Sequence, residues 1–200
     1  MSASTWPPEP EPGTPEPQSA GEHVPAAVLV PLFLGGEAAE PHVVLTRRRA
    51  DLRRHAGEIS FPGGRRDDTD ADLRETALRE AEEEIGLPRA EVSLLGPLPT
   101  VSTFVTNYLI HPYVGTIPPG LIWSLSPREV DAVLELPLAA ISEGRGRTRM
   151  ERRGFTFETD TYTVGEHLIW GATARIVEDL LDRLGQTGTP GELTLTPLMS

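Results

Sequence analysis

"GGRRDDTDADLRETALREAEEEIGL", residues 63–87, carries four glutamates in the five positions from Glu80 to Glu84. At about 100° per residue in a helix, Glu80, Glu83 and Glu84 share an arc of roughly 100°, while Glu82 points away. Leu73, Ala77, Ala81 and Ile85 recur every four residues and form the neighbouring apolar stripe. The three carboxylates therefore flank the buried face rather than oppose it. Asp72, with Glu75 three residues on, reads as a capping start, and Gly86-Leu87-Pro88 as a stop. Arg79 precedes Glu83 by four residues and can pair with it. Carboxylates spaced in this way repel one another and gain most from a hard cation between them; oxygen ligands favour Mg²⁺ or Mn²⁺ over zinc. Taken alone, the pattern fits a solvated acidic helix face as well as a metal site.

The residues before the helix region shift that balance. Phe61-Pro62-Gly63-Gly64 reads as a tight turn whose glycines let a ligand or metal approach the backbone. Gly-Gly, a spacer, and then Arg-Glu-Ala-x-Glu-Glu-x-Gly-Leu resembles the Nudix box, and from Arg79 to Leu87 the match is complete. The resemblance implies a hydrolase of diphosphates linked to another moiety, with divalent metal held on this loop and helix. Asp70 stands where the family's first Glu is usual, and one extra residue follows it before Arg79. The coenzyme A diphosphatases of this family look similar at that point, and Asp70 is assigned no role.

A second run points to the same subfamily. In "VLTRRRADLRRHAGEISFPGG", residues 44–64, Leu45, Thr46, Arg48, Arg53, Gly57, Ile59 and Phe61 to Gly64 fall in register with the signature that precedes the Nudix box in coenzyme A diphosphatases. Arg49 stands where Ser is usual. Arg47, Arg48, Arg49, Arg53 and Arg54 with His55 form the densest basic cluster of the chain. Guanidinium forks suit phosphate oxygens, and coenzyme A carries a 3′-phosphate besides its diphosphate. The plainer role for such a cluster is to solvate an acidic protein.

Two hundred residues with 38% hydrophobic content are enough for one domain with a sizeable core. A net charge of −12 and a pI near 4.8 argue against non-specific binding to nucleic acid or membranes. No cysteine is present, which excludes disulfides, zinc–thiolate sites and a thiol nucleophile. All eighteen basic residues are arginine, which excludes lysine chemistry. No apolar run approaches the ~20 residues of a membrane span, and no signal peptide is evident, so a cytoplasmic protein is expected. Residues 1–20 are Pro- and Glu-rich and read as a disordered tail, residues 21–185 as the Nudix domain, and residues 186–200 as a second mobile tail.

Within the domain, "AAVLVPLFL" and "HVVLT" read as strands around a Gly-containing turn, followed by the helix. Further strands are expected near 91–97, 106–115 and 132–138. "ERRGFTFETDTYTV" reads as a hairpin turning at Gly154, and "WGATARIVEDLLDRL" as an amphipathic helix that can bury Ala174, Ile176, Leu180, Leu181 and Leu184. This order predicts a mixed sheet between helices, and the resemblance implies the same α/β/α sandwich.

The resemblance implies metal ligation of Mg²⁺ or Mn²⁺ by Glu80, Glu83 and Glu84 and by the Gly63 carbonyl, with Arg79 orienting Glu83. Glu83, Glu84 and Glu129 are the candidates for activating water. Against that role for Glu129, Ser126-Pro127-Arg128-Glu129 also reads as a capping box with Pro at the first helical position. Arg48, Arg53, Arg54 and His55 are the candidate phosphate contacts. The expected activity cleaves coenzyme A, with acyl derivatives, to 3′,5′-ADP and 4′-phosphopantetheine. A diphosphatase for a dinucleotide or nucleotide sugar is the alternative, and an inactive nucleotide-binding module stands behind both. The partner is a small molecule, and a homodimer is compatible with this reading.

Overall fold

The computed structural model describes residues 23–51, 57–103, 107–152 and 155–185. The tails expected at 1–20 and 186–200 lie outside them, as do Arg53, Arg54 and His55. Strand β1 (Val24–Gly35) turns through Gly36–Ala39 into β2 (Glu40–Arg48). Short strands β3 (Ile59–Ser60) and β4 (Gly63–Arg65) precede helix α1 (Leu73–Ile85). Then come β5 (Ser93–Pro97), β6 (Val101–Ser102), β7 (Tyr108–Thr116), β8 (Val130–Pro137) and α2 (Leu138–Glu143). Strands β9 (Arg145–Arg152), β10 (Phe155–Val164) and β11 (His167–Trp170) and helix α3 (Gly171–Gly185) complete the order.

The main sheet is mixed. β1 runs parallel to β7 over Val24–Leu32 and antiparallel to β2 over Leu32–Gly35 only. Beyond that, β1 and β2 part, and the segment from Ile59 to Arg65 fills the gap: β3 pairs with β2, β4 pairs with β1, and Leu29 N–H donates to the Pro62 carbonyl at 2.9 Å. Inserting Phe61-Pro62-Gly63-Gly64 between two splayed strands satisfies backbone groups that the split would otherwise leave unpaired. It also brings the glycine turn under α1.

Two cores cover the two faces of this sheet. Ala77, Ala81 and Ile85 of α1 pack with Ala27, Leu29, Phe33 and Val44, which is the expected stripe meeting the expected strands. On the other face Val30, Val43 and Leu45 meet Leu138 and Ile141 of α2 and Ile176, Val177 and Leu180 of α3. Ala174 and Leu184 are buried there and Leu181 partly so. The fold is the anticipated α/β/α sandwich. The hairpin strands pair as Arg152↔Phe155 through Arg145↔Tyr162, with β11 on the far side of β10.

Two local expectations change. Ser126–Glu129 forms a turn, with Glu129 and Val130 N–H groups donating to the Ser126 carbonyl, and no helix follows. From Val130 the chain pairs antiparallel with β2 and alternates between core and solvent. Strand pairing overrides the local capping signal here. Leu138, expected to end a strand, instead opens the short helix α2, whose Leu138 and Ile141 are buried.

Candidate functional site

Helix α1 begins as expected: the Asp72 carboxylate accepts the N–H groups of Arg74 and Glu75. The Glu75 carboxylate turns outward to Arg89, 3.0 Å away. At the other end Gly86 adopts a left-handed conformation (φ 68°) and closes the helix with its N–H on the Glu82 carbonyl. Between these caps the glutamates separate by burial. Glu82 faces out and pairs with Arg89 at 2.8 Å. The Glu83 side chain is 61% exposed, Glu80 18% and Glu84 only 4%.

Glu84 lies against the glycine turn, where Gly63 N–H donates to its Oε2 at 3.2 Å. Its other oxygen is 3.5 Å from Nη1 of Arg48. Burial pushes the Glu84 carboxyl up to about 7, against the opposing pull of the Gly63 N–H and of Arg48; Glu80 and Glu129 add to the rise. Glu80 is raised in the same direction, again chiefly by burial. The Gly64 backbone is so close that a Cβ there would fall 2.5 Å from the Glu80 carboxylate. At Gly63 a Cβ would fall 2.3 Å from the Ala27 carbonyl oxygen. The two glycines are thus required for different reasons, one by Glu80 and the other by strand β1.

Arg79 organises the outer half of the site. Its Nε and Nη2 reach Asp70 at 2.8 and 3.0 Å, and its Nη1 reaches Glu80 at 2.9 Å and Glu83 at 3.2 Å. The expected Arg79–Glu83 pair is present, and Arg79 binds Glu80 more closely still. Asp70, left without a role by the sequence, is the buried anchor of this guanidinium. It also accepts the Thr76 hydroxyl at 2.8 Å and the Asp67 N–H at 2.9 Å. Those bonds, the Arg79 fork foremost, hold its carboxyl well below the usual range despite burial. The spacing of nine residues from Asp70 to Arg79 carries no helical signal, since Asp70 precedes the helix.

Strand β2 distributes the arginines. Arg47 turns to Asp131 at 2.8 Å, and Arg49 bonds Asp51 at 2.7 Å and the Pro127 carbonyl. Arg48 lies on the same strand face as Val44, which packs in the α1 core, and turns toward the α1 carboxylates beside the point where the β2–β8 register shifts. Its Nη2 is 3.8 Å from Glu129, whose side chain is half-exposed. Glu129 therefore joins Glu84 through Arg48, although the turn that carries it is 45 residues further along the chain. Trp123 donates to Glu135 at 2.7 Å and packs against the α1 core, as edge packing predicts. A cleft of about 650 Å³ opens at the other end of α1, bordered by Arg66, Leu73, Arg74, Leu94 and Tyr113. Leu73 is seven residues before Glu80, so the cleft begins about 10 Å along the helix from the carboxylates.

Among the described residues no three carboxylate or imidazole groups are already gathered into a metal cage. Arg48 and Arg79 hold the carboxylates instead. The donor set still fits Mg²⁺ or Mn²⁺: Glu80 and Glu84 are hard oxygen donors one turn apart, both largely withdrawn from water and both lying against the Gly63-Gly64 backbone. Among the described residues no helix is long and apolar enough to cross a membrane.

Known proteins share both the sequence and the architecture. The NUDIX domain family matches residues 22–156. A Shigella flexneri protein named as an uncharacterized Nudix hydrolase, NudL, is 42% identical over 167 residues, covering 82% of this chain and 85% of its own. Its counterpart in Escherichia coli O7:K1 is 42% identical over 165 residues, with 82% and 84% covered. Among solved structures, a MutT/nudix family protein from Enterococcus faecalis aligns with TM-score 0.56 at 14% identity, over 91% of this chain and 66% of that one. The NUDIX domain of Shewanella oneidensis NrtR, solved with ADP ribose, aligns with TM-score 0.54 at 15% identity, over 84% and 93%. With the sandwich, the glycine turn against Glu84 and Glu80, and a homologous match through all of these residues, the chain belongs to the Nudix family and is a hydrolase of diphosphate bonds.

Proposed function

We propose that the chain cleaves the diphosphate of coenzyme A, and of acyl-coenzyme A, to 3′,5′-ADP and 4′-phosphopantetheine. The observation that carries this reading is Arg48: it belongs to the run from Leu45 to Gly64 that resembles the coenzyme A signature, and it faces the buried Glu84. Glu80, Glu84, Glu83 and the Gly63 carbonyl would hold Mg²⁺ or Mn²⁺. When bound, such a cation neutralises the diphosphate and lowers the pKa of an attacking water. Glu129 is half-exposed, near the same carboxylates and free of a tight ion pair at its 3.8 Å distance from Arg48, which suits it to take a proton from water. Glu83, the most exposed of the three α1 carboxylates, and Glu84 are the other candidates for that step. Arg48, with Arg53, Arg54 and His55, would orient the phosphates.

The test is a panel of coenzyme A, its acyl esters, NADH, nucleotide sugars and dinucleotide polyphosphates, with products identified by mass. Coenzyme A species should give the highest kcat/KM, releasing 3′,5′-ADP. Far more efficient turnover of another member would refute the coenzyme A reading while leaving the diphosphatase chemistry intact.

A further inference from the structure

Arg48 and Arg79 both face the α1 carboxylates, but they are held very differently. Arg79 is pinned by the Asp70 fork at 2.8 and 3.0 Å, so it cannot leave without abandoning a buried carboxylate. Arg48 has no such anchor. Its Nη1 is 3.5 Å from Glu84 and its Nη2 3.8 Å from Glu129, both longer than the 2.7–2.9 Å typical of a well-made charge-assisted bond. Its Nε is buried and has no hydrogen-bond partner among the described residues. The cation is placed by charge rather than by fitted bonds, with a donor in reserve.

The carboxylate beside it has the opposite problem. Glu84 is buried at 3% exposure, and an ionised carboxylate so far from water is costly unless a cation accompanies it. Arg48 supplies one. A divalent cation at Glu84 would supply another, and the two positive charges would repel at close range.

We propose that Arg48 is the resident counter-ion of the carboxylate site: a divalent cation displaces it from Glu84 and Glu129, and the released guanidinium turns to the substrate's phosphates. The inference rests on the metal role of Glu84 proposed above. It makes Arg48 a competitor of the metal and a partner of the substrate. Metal binding then prepares the site for a diphosphate twice, once by its own charge and once by freeing a fork donor. Arg79 takes no part in the exchange, since Asp70 retains it.

The test is Mn²⁺ binding to metal-free protein without substrate, followed by the paramagnetic resonance signal of free Mn²⁺ at pH 8. Removing the competing charge in Arg48→Gln should tighten Mn²⁺ binding by about tenfold relative to the wild type, from the Coulomb repulsion that is relieved. Arg48→Lys, which keeps the charge, should remain near the wild-type affinity. Arg48→Met keeps the apolar stem and replaces the glutamine variant if that one does not fold. Equal or weaker Mn²⁺ binding in the charge-removed variant overturns the counter-ion role and leaves the metal reading standing. Absence of Mn²⁺ binding in every form overturns both.

Discussion

Replacing Asp70 by Asn tests whether the charge of one buried carboxylate holds the outer half of the site together. The shape is kept and one oxygen becomes an NH₂ group. In the native arrangement Oδ2 accepts three donors, Asp67 N–H at 2.9 Å, Thr76 Oγ1 at 2.8 Å and Arg79 Nη2 at 3.0 Å, while Oδ1 accepts Arg79 Nε at 2.8 Å. Either amide orientation sets an N–H against at least one donor. The better one loses only the Nε bond but still leaves a largely buried guanidinium without its closest buried counter-charge, with Glu80 and Glu83 on its Nη1 alone. Breaking one partner of a buried pair of this kind costs about 3 kcal/mol. For a domain of this size that lowers Tm by roughly 10 °C. The sign with pH follows from the lowered Asp70 carboxyl. Its stabilisation is complete above the ordinary value of 3.8 and is lost as pH falls from there toward the depressed native value. The gap between wild type and Asp70→Asn, measured by thermal or urea unfolding, should therefore be widest near pH 7 and narrow below about pH 4. A gap under about 0.5 kcal/mol at pH 7, or one that widens on acidification, would refute the anchoring role.

The glycine pair gives a contrast: Gly63→Ala meets the Ala27 carbonyl at 2.3 Å and should cost about 3 kcal/mol in urea unfolding. Gly64→Ala meets the Glu80 carboxylate first, the far end of a side chain that can shift, so it should unfold near the wild-type midpoint while requiring more Mg²⁺ for half-maximal activity; matching effects of the two substitutions on stability would contradict this division. Glu83→Gln changes a side chain that is 61% exposed, so Tm should hold within a degree or two while kcat falls about a hundredfold or more; near-normal turnover would remove Glu83 from the chemistry. Deleting residues 1–20 should leave Tm and kcat/KM nearly unchanged, because a Pro- and Glu-rich segment cannot bury a core of its own; a large loss of either would mean that it docks on the domain.

What could be read from the sequence follows the range of the forces involved. The α1 stripe, its Asp72 start and its Gly86 stop are set within one helix, where a period of 3.6 and a few local bonds decide, and all three were legible. So was the order of exposure of Glu82 relative to Glu80 and Glu84. The basic cluster was not, because it was read as a run. Arg47 and Arg48 lie at the end of a strand, where neighbours point to opposite faces, and Arg49 just beyond it; they reach Asp131, Glu84 and Asp51 respectively. A period of two separates Arg47 from Arg48 and puts Arg48 on the face of Val44; which carboxylates meet it there depends on α1 and the Ser126–Glu129 turn, far away in sequence. Asp70 was illegible for a different reason. Its partner is chosen by burial across a loop, and no local spacing sets it apart from Asp67 or Asp68 as the residue that Arg79 will find. Ser126–Glu129 misled in the reverse direction, since a sound local capping signal lost to eight residues of strand pairing.

The charges gathered at the site bear on the proposed metal role. Asp70, Glu80, Glu83, Glu84 and Glu129 are five carboxylates joined by two guanidinium groups, Arg48 and Arg79. Asp70 takes two of the Arg79 bonds, at 2.8 and 3.0 Å, so Glu80 and Glu83 share its Nη1. Arg48 stands at 3.5 and 3.8 Å from the other two. The surplus is negative, and a diphosphate approaching it meets repulsion on the side where the arginines are already engaged. Glu80 and Glu84 hold protons more tightly than carboxylates in solvent, chiefly because they are withdrawn from water, with the neighbouring carboxylates adding to the rise. Under the counter-ion proposal, a divalent cation at Glu80 and Glu84 would offset that excess and release the Arg48 guanidinium for a phosphate oxygen. On that proposal, the carboxylates that make the helix costly on its own would be the feature that makes binding of the substrate conditional on metal.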